Sequence, residues 1–221
     1  MARPAPSSPL EAALAAISGA LGALGVRGMI IGGIAASLLG RARTTLDVDV
    51  LIWLDERAWP AFVRGLHAHA VEPRIEGALE FARRSRVLLL RHAPTGVPID
   101  ISLGALPFEK EAIDRAVATK VGRFEIPLVT AEDLVILKAV AHRPRDLADI
   151  EGILAMHPSL DIVRVRRWVD EFASVLDLPE LSADFEATLR RTTFVGRATE
   201  RKKRTAAKKK KATATPKKRR R

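Results

Sequence analysis

The segment Arg43-Thr44-Thr45-Leu46-Asp47-Val48-Asp49 runs directly into the apolar stretch Val50-Leu51-Ile52-Trp53-Leu54. It sets two carboxylates two residues apart where a strand over 46–54 begins. Side chains at i and i+2 leave a strand on the same face, so both acids aim at one point. The strand is apolar enough to be central in a sheet. Paired charges there are costly unless a cation or a partner charge compensates them. Hard divalent cations prefer oxygen ligands, which makes the pair a candidate Mg²⁺ site. The plainer alternative has Asp47 capping the strand and Asp49 pairing with a nearby Arg.

The rest of the chain divides into a mixed half and a helical half. Ser8-Pro9-Leu10-Glu11 has the form of a capping box with Pro at the first helical position, opening an Ala/Leu-rich helix to about Leu24. A short strand over 28–31 meets Gly32-Gly33, a tight turn, and a short helix over 34–39 is closed by Gly40. Residues 56–70 read as a helix with Trp59, Phe62, Val63 and Leu66 on its apolar side. Strands over 87–90 and 97–101 flank the turn Pro94-Thr95-Gly96. Residues 108–118 read as helix, and 124–128 as a short edge strand or extended segment marked by Pro127. From Thr130 onward the pattern is helical, over 130–142, 146–156, 161–176 and 181–191, punctuated by Pro144, Pro158 and Pro179.

Composition excludes some chemistry and relocates the charge. There is no cysteine, so disulfides, thiolate metal sites and cysteine nucleophiles are out, and a reducing cytoplasm is the expected setting. No secretory signal is evident. The apolar stretch over 10–40 is interrupted by Glu11 and Arg27 and loaded with Gly and Ala, so no membrane span is expected. Residues 197–221 hold 14 Lys/Arg and one Glu, a net of +13. Taking that from the chain's +11 leaves −2 for residues 1–196. All the basic character therefore sits in the tail. The tail has almost no large apolar residue and is expected to be disordered. Its polycation over Arg201–Arg221 suits sequence-independent attraction to nucleic acid, and the lack of aromatics argues against base stacking.

Asp100 is the third acid of interest. Ile99-Asp100-Ile101 alternates, so Asp100 faces away from its isoleucine neighbours, and an adjacent strand could bring it to the Asp47/Asp49 pair. Three carboxylates suffice for one or two Mg²⁺ ions with phosphates completing the shells. That expectation fails if Asp100 points to the opposite face of the sheet. Gly32-Gly33 lets backbone N–H groups approach a phosphate beside a positive helix end, or is only a turn. His67 and His69 do not share a helix face and are not expected to bind metal. Trp53, Trp59 and Trp168 are expected to pack.

Together these elements resemble the signature of the polymerase-β-like nucleotidyltransferase superfamily. The matching residues are Ile31-Gly32-Gly33-Ile34-Ala35, Leu39-Gly40, Arg43-Thr44-Thr45-Leu46-Asp47-Val48-Asp49, and Val97-Pro98-Ile99-Asp100-Ile101 for the third carboxylate. A later stretch, Thr130-Ala131-Glu132-Asp133-Leu134, Lys138-Ala139 and Arg143-Pro144-Arg145-Asp146-Leu147-Ala148-Asp149-Ile150, resembles the C-terminal motif of AbiEii/AbiGii-type nucleotidyltransferase toxins. The resemblance covers roughly residues 28–154.

What it implies is an α+β fold: a nucleotidyltransferase-type mixed β-sheet with flanking helices, then a C-terminal helical part and a disordered basic tail. The expected division is 1–8 disordered, 9–128 as α/β core, 129–195 helical and 196–221 as tail. The implied activity is Mg²⁺-dependent transfer of a nucleotide from an NTP to an acceptor hydroxyl of RNA or protein, releasing pyrophosphate. A small-molecule nucleotidyltransferase of the aminoglycoside or lincosamide kind, or a non-catalytic binding module on the same fold, is the alternative. Asp47, Asp49 and Asp100 would ligate Mg²⁺, with Asp100 alternatively assisting deprotonation. Gly32, Gly33 and Thr45 would hold triphosphate oxygens. Lys138 would neutralise triphosphate charge, and Asp146 would orient the site by pairing with Lys138 or Arg43. Arg43 stays open between phosphate contact and a structural pair. The implied partners are NTP and an antitoxin protein.

Overall fold

The computed structural model describes residues 8–192, and the expectations for residues 1–7 and for the basic tail lie outside them. The first helix, α1 (Pro9–Ala23), starts as its sequence demands. Ser8 Oγ accepts the Glu11 N–H at 3.1 Å, and Pro9 occupies the first turn, where a missing N–H costs nothing.

Seven strands follow in one mixed sheet: β1 (Gly28–Ile30), β2 (Val48–Ile52), β3 (Val71–Pro73), β4 (Val87–His92), β5 (Pro98–Leu103), β6 (Val117–Val121) and β7 (Phe124–Leu128). Their order is β3-β4-β5-β2-β1-β7-β6. The acid-bearing β2 lies in the middle, antiparallel to β1 and parallel to β5. Its apolar run is the reason: Val48, Val50, Leu51 and Ile52 are all buried. A strand covered on both faces has to be apolar almost continuously.

Helices α2 (Gly32–Leu39), α3 (Trp59–Leu66), α4 (Ala78–Ser85) and α5 (Pro107–Asp114) connect the strands. The helical half comprises α6 (Ala131–Ala141), α7 (Pro144–Met156), α8 (Ile162–Leu176) and a further helical stretch over 180–192. Helix α6 is buried nearly all round, as a central helix must be. Its two buried charges are compensated. Asp133 is paired with Arg115 and Arg164, and Lys138 with Asp146 and Asp149. Thr130 caps α6, and His142 ends it in the left-handed conformation at φ 51°, turning the chain into α7.

Several local expectations need correction. Segment 124–128 is not an edge strand, because β7 lies between β1 and β6. Pro127 is tolerated there because β7 meets β1 only at Ile30↔Leu128. The edge on that side is β6, over residues partly assigned to the preceding helix, and it carries Lys120, a charge that discourages edge pairing. The helix over 56–70 is α3 flanked by two 3₁₀ turns, Glu56–Ala58 and His67–His69. Trp59, Phe62, Val63 and Leu66 form its buried side as expected. The sequence pattern missed β3 and α4. Trp59 is buried and donates to the Leu54 carbonyl, while Trp168 packs edge-on against Phe108. Among the described residues, no helix is long and apolar enough to cross a membrane.

Candidate active site

The site lies where the N-terminus of α2 meets the start of β2, with β5 on one side and the α6–α7 pair beside it. Strand β2 pairs with β5 in the register Asp49↔Asp100. Residues opposite each other on neighbouring strands point to the same face, so Asp100 stands on the Asp49 side of the sheet. Val48, Val50, Ile99 and Ile101 are buried on the other face, leaving both acids half-exposed. Asp47 precedes the strand, and Thr45 Oγ1 donates to its carboxylate at 2.7 Å.

The glycine pair proves to be the first turn of α2 rather than a separate turn. Gly32 has φ +64°, and a Cβ there would overlap the Asp49 carboxylate. Any other residue would be strained and would displace the acid. At Gly33 a Cβ would come within 2.5 Å of Thr45 Oγ1. The Gly33 N–H donates to Asp49 Oδ2 at 3.3 Å. Both glycines therefore exist to let α2 close onto Asp49 and Thr45.

Burial pushes the Asp49 carboxyl above the usual carboxylate range, and repulsion from Asp47 and Asp100 adds to it. The Gly33 hydrogen bond and the more distant charge of Lys138 pull the other way without overcoming this. Asp100 carries its own signature. Arg74 Nη1 stands 2.8 Å from its Oδ1, yet Oδ1 is buried and accepts no hydrogen bond. Only Oδ2 accepts from Arg74, through Nη2 at 3.3 Å.

These features fit a divalent cation. The donors are carboxylate oxygens, one carboxyl is held up by burial and by like charge, and one buried oxygen meets its arginine partner without forming a hydrogen bond. The acids do not form a closed cage, however. Among the described residues, no three Asp, Glu or His side chains are gathered tightly enough to enclose a metal ion. Thr45 holds Asp47 and Arg74 holds Asp100.

The second half of the site is a chain of charges under the α6–α7 junction. Lys138 Nζ lies 3.0 Å from Asp146 Oδ1 and 2.7 Å from Asp149 Oδ2, with only 5% of its side chain exposed. Arg143 Nε donates to Asp146 Oδ2 at 2.6 Å, and Asp146 also accepts the Arg143 backbone N–H at 3.3 Å, closing the first turn of α7. Burial pushes the Asp146 carboxyl up, but the hydrogen bonds from Arg143 and Lys138 outweigh it and hold it below the usual range. Arg43 Nε reaches Asp149 at 3.0 Å, tying the loop before β2 to α7. Of the two partners foreseen for Asp146, Lys138 is found and Arg43 is not. Arg145 is exposed, and Trp53 is partly buried against the core.

Two arginines were not singled out from the sequence. Arg74 gave no signal, because it follows the unrecognised β3. Arg143 lay within the toxin-like stretch but was assigned no role. Asp149 lies in the same toxin-like stretch, on the helix of Asp146.

A seven-stranded mixed sheet, a glycine-opened helix closed onto a strand-borne carboxylate pair and a third acid in register beside it define a nucleotidyltransferase. The family model described as "Nucleotidyl transferase AbiEii toxin, Type IV TA system" matches residues 29–216. The chain belongs to this family of nucleotidyltransferase toxins. Among solved structures it is similar to an antigenic nucleotidyltransferase-like protein from Paracoccidioides brasiliensis, at 16% identity and a TM-score of 0.47, covering 79% of this chain and 90% of that one. It is also similar to the antibiotic-resistance factor ANT(2'')-Ia, at 16% identity and a TM-score of 0.48, covering 75% and 92%. No curated protein matches the chain.

Proposed function

We propose that this nucleotidyltransferase is Mg²⁺-dependent and moves a nucleotide from an NTP to an acceptor hydroxyl on RNA or protein. The observation that carries the reading is the placement of Asp49 and Asp100 opposite each other on one face of the sheet, with the first turn of α2 closed onto Asp49. Asp47, Asp49 and Asp100 are the ligands. When bound, Mg²⁺ supplies charge neutralisation at the reacting phosphate and lowers the pKa of the attacking hydroxyl.

The chain's own residues do the rest. Backbone N–H groups of the first turn of α2, at Gly32 and Gly33, hold triphosphate oxygens with help from the Thr45 hydroxyl and the positive end of the helix, the Gly33 N–H and the Thr45 hydroxyl giving up Asp49 and Asp47 to do so. Lys138 lends positive potential, already felt at Asp49, to the same phosphates. Asp146 and Asp149 fix Lys138, and Arg43 fixes the loop that carries Thr45. The acceptor hydroxyl gives up its proton with the help of Asp100, its oxygen bonds to the α-phosphorus, the α–β anhydride bond breaks, and pyrophosphate leaves.

The polycationic segment 201–221 raises the local concentration of nucleic acid, which favours an RNA acceptor. An antitoxin protein is the partner that membership in a toxin–antitoxin family calls for, and NTP use points to the cytoplasm.

The deciding experiment incubates the protein with each labelled NTP, Mg²⁺ and separate cellular RNA, protein and small-molecule pools. Label is expected in RNA or protein with one NTP. Label confined to small molecules overturns the acceptor class. No label in any pool, and no rise in melting temperature with millimolar Mg²⁺-NTP, overturns the enzyme reading in favour of a binding module.

A further inference from the structure

We infer that Arg74 is the resident counter-cation of Asp100 and competes with the divalent cation for that carboxylate. The inference rests on the metal reading above, and it goes further by naming what withholds the third ligand.

Arg74 follows β3, and its backbone N–H donates to the Leu89 carbonyl at 3.0 Å. Leu89 pairs with Asp100, and Asp100 with Asp49. Arg74, Leu89, Asp100 and Asp49 thus form one row across four neighbouring strand positions. The Arg74 side chain spans the row to reach Asp100, placing a fixed positive charge beside the carboxylates.

The pair is badly aligned. A well-formed guanidinium–carboxylate fork makes two parallel hydrogen bonds. Here one is long, at 3.3 Å, and the other is a close approach at 2.8 Å that spends no lone pair of Oδ1. Both side chains are about a third exposed, so the pair contributes little and exchanges readily. A cation that aligns with a lone pair of Oδ1 better than the guanidinium does competes on favourable terms. The consequence is an incomplete ligand set at rest, with Asp100 joining Asp47 and Asp49 only when Arg74 yields. Arg74 is then a positioning residue, acting on the cation through Asp100.

The test measures Mn²⁺ affinity of the full chain by electron paramagnetic resonance, with a non-hydrolysable NTP analogue present. Arg74→Gln is expected to tighten Mn²⁺ binding by about fivefold, the scale of a partly exposed ion pair. Asp100→Asn added to Arg74→Gln should erase the gain. Arg74→Lys, which keeps a charge but loses the planar two-point reach, should fall between wild type and Arg74→Gln. A purely structural arginine would lower the melting temperature of Arg74→Gln and leave or weaken Mn²⁺ affinity, and that result overturns the inference. Should Arg74→Gln fail to fold, Arg74→Lys decides alone, and an unchanged affinity overturns it. A gain that survives Asp100→Asn overturns it as well. Failure of the metal reading looks different: wild-type protein whose Mn²⁺ binding is absent, or is untouched by Asp49→Ala.

Discussion

Asp49 and Asp100 stand directly opposite each other on adjacent parallel strands, in the middle of the sheet and on the same face. Their mutual repulsion, after burial and alongside Asp47, keeps the Asp49 carboxyl above its ordinary range. A fold optimised only for stability would not carry this pair. The expected outcome is that Asp49→Asn abolishes nucleotidyl transfer while stabilising the ligand-free protein by about 1 kcal/mol, measured by chemical denaturation. The sign follows from linkage. A carboxyl whose folded value is raised makes the native state bind more protons than the unfolded chain, so its stability contribution falls as pH rises from 3.8 through the raised value. The advantage of Asp49→Asn should vanish below pH 3.8 and grow above it. A variant less stable than wild type at neutral pH contradicts this.

Gly32→Ala should be worse than a usual surface substitution on two counts. The backbone at φ +64° is strained for alanine, and the new methyl overlaps the Asp49 carboxylate. A loss of about 2 kcal/mol is expected, together with loss of Mg²⁺-NTP stabilisation in a melting experiment. Full retention of that ligand-induced shift would mean that Asp49 tolerates displacement and the glycine serves only the turn.

The site was legible in the sequence to the extent that it is local. The Asp47/Asp49 spacing, the Gly32-Gly33 pair before a short helix and the alternation at Ile99-Asp100-Ile101 all report on the chain within a few residues. The strands carrying them were readable because β2 is an apolar run and because Pro94-Thr95-Gly96 marks a hairpin. What stayed hidden depends on long-range pairing. Strand β3 is three residues long and contains a proline, so its place beside β4 comes from the sheet and not from its own pattern. With β3 unseen, Arg74 had no assigned position. The edge role of β6 and the interior role of β7 depend on how β7 docks onto β1, which Pro127 argues against locally. Lys138 and its pairing with Asp146 were legible through the toxin-like motif, whereas its second partner, Asp149, comes from the packing of α7.

Removing residues 197–221 should weaken binding to an unstructured RNA by at least tenfold at low salt. It should also flatten the dependence of log affinity on log salt, since each lost phosphate contact removes about 0.7 from the slope. Filter binding at several salt concentrations measures both. Unchanged affinity and slope would leave the folded body, at net −2 over residues 1–196, to account for any RNA binding.

Asp146 provides the last test, because its role separates from chemistry through pH. It is buried at 0% exposure and accepts from both Lys138 and Arg143. Its carboxyl is held below the ordinary value of 3.8, since those hydrogen bonds outweigh the opposing effect of burial. A lowered carboxyl stabilises the native state at pH above 3.8, and the contribution is lost as pH falls through the lowered value. Asp146→Asn keeps the shape but removes the charge, leaving Lys138 with Asp149 as its remaining acid. A loss of about 3 kcal/mol is expected at neutral pH, the scale for breaking one side of a buried pair. The gap to wild type should narrow as pH drops below 3.8, because protonated Asp146 and Asn are then alike. A gap independent of pH would show that the hydrogen-bond geometry, and not the charge, is what Asp146 contributes. Transfer activity should fall with the same variant, because Lys138 loses one of the two groups that aim it. Asp149→Asn, which also frees Arg43, should lower activity more than stability, as Asp149 ties the loop carrying Thr45 to α7.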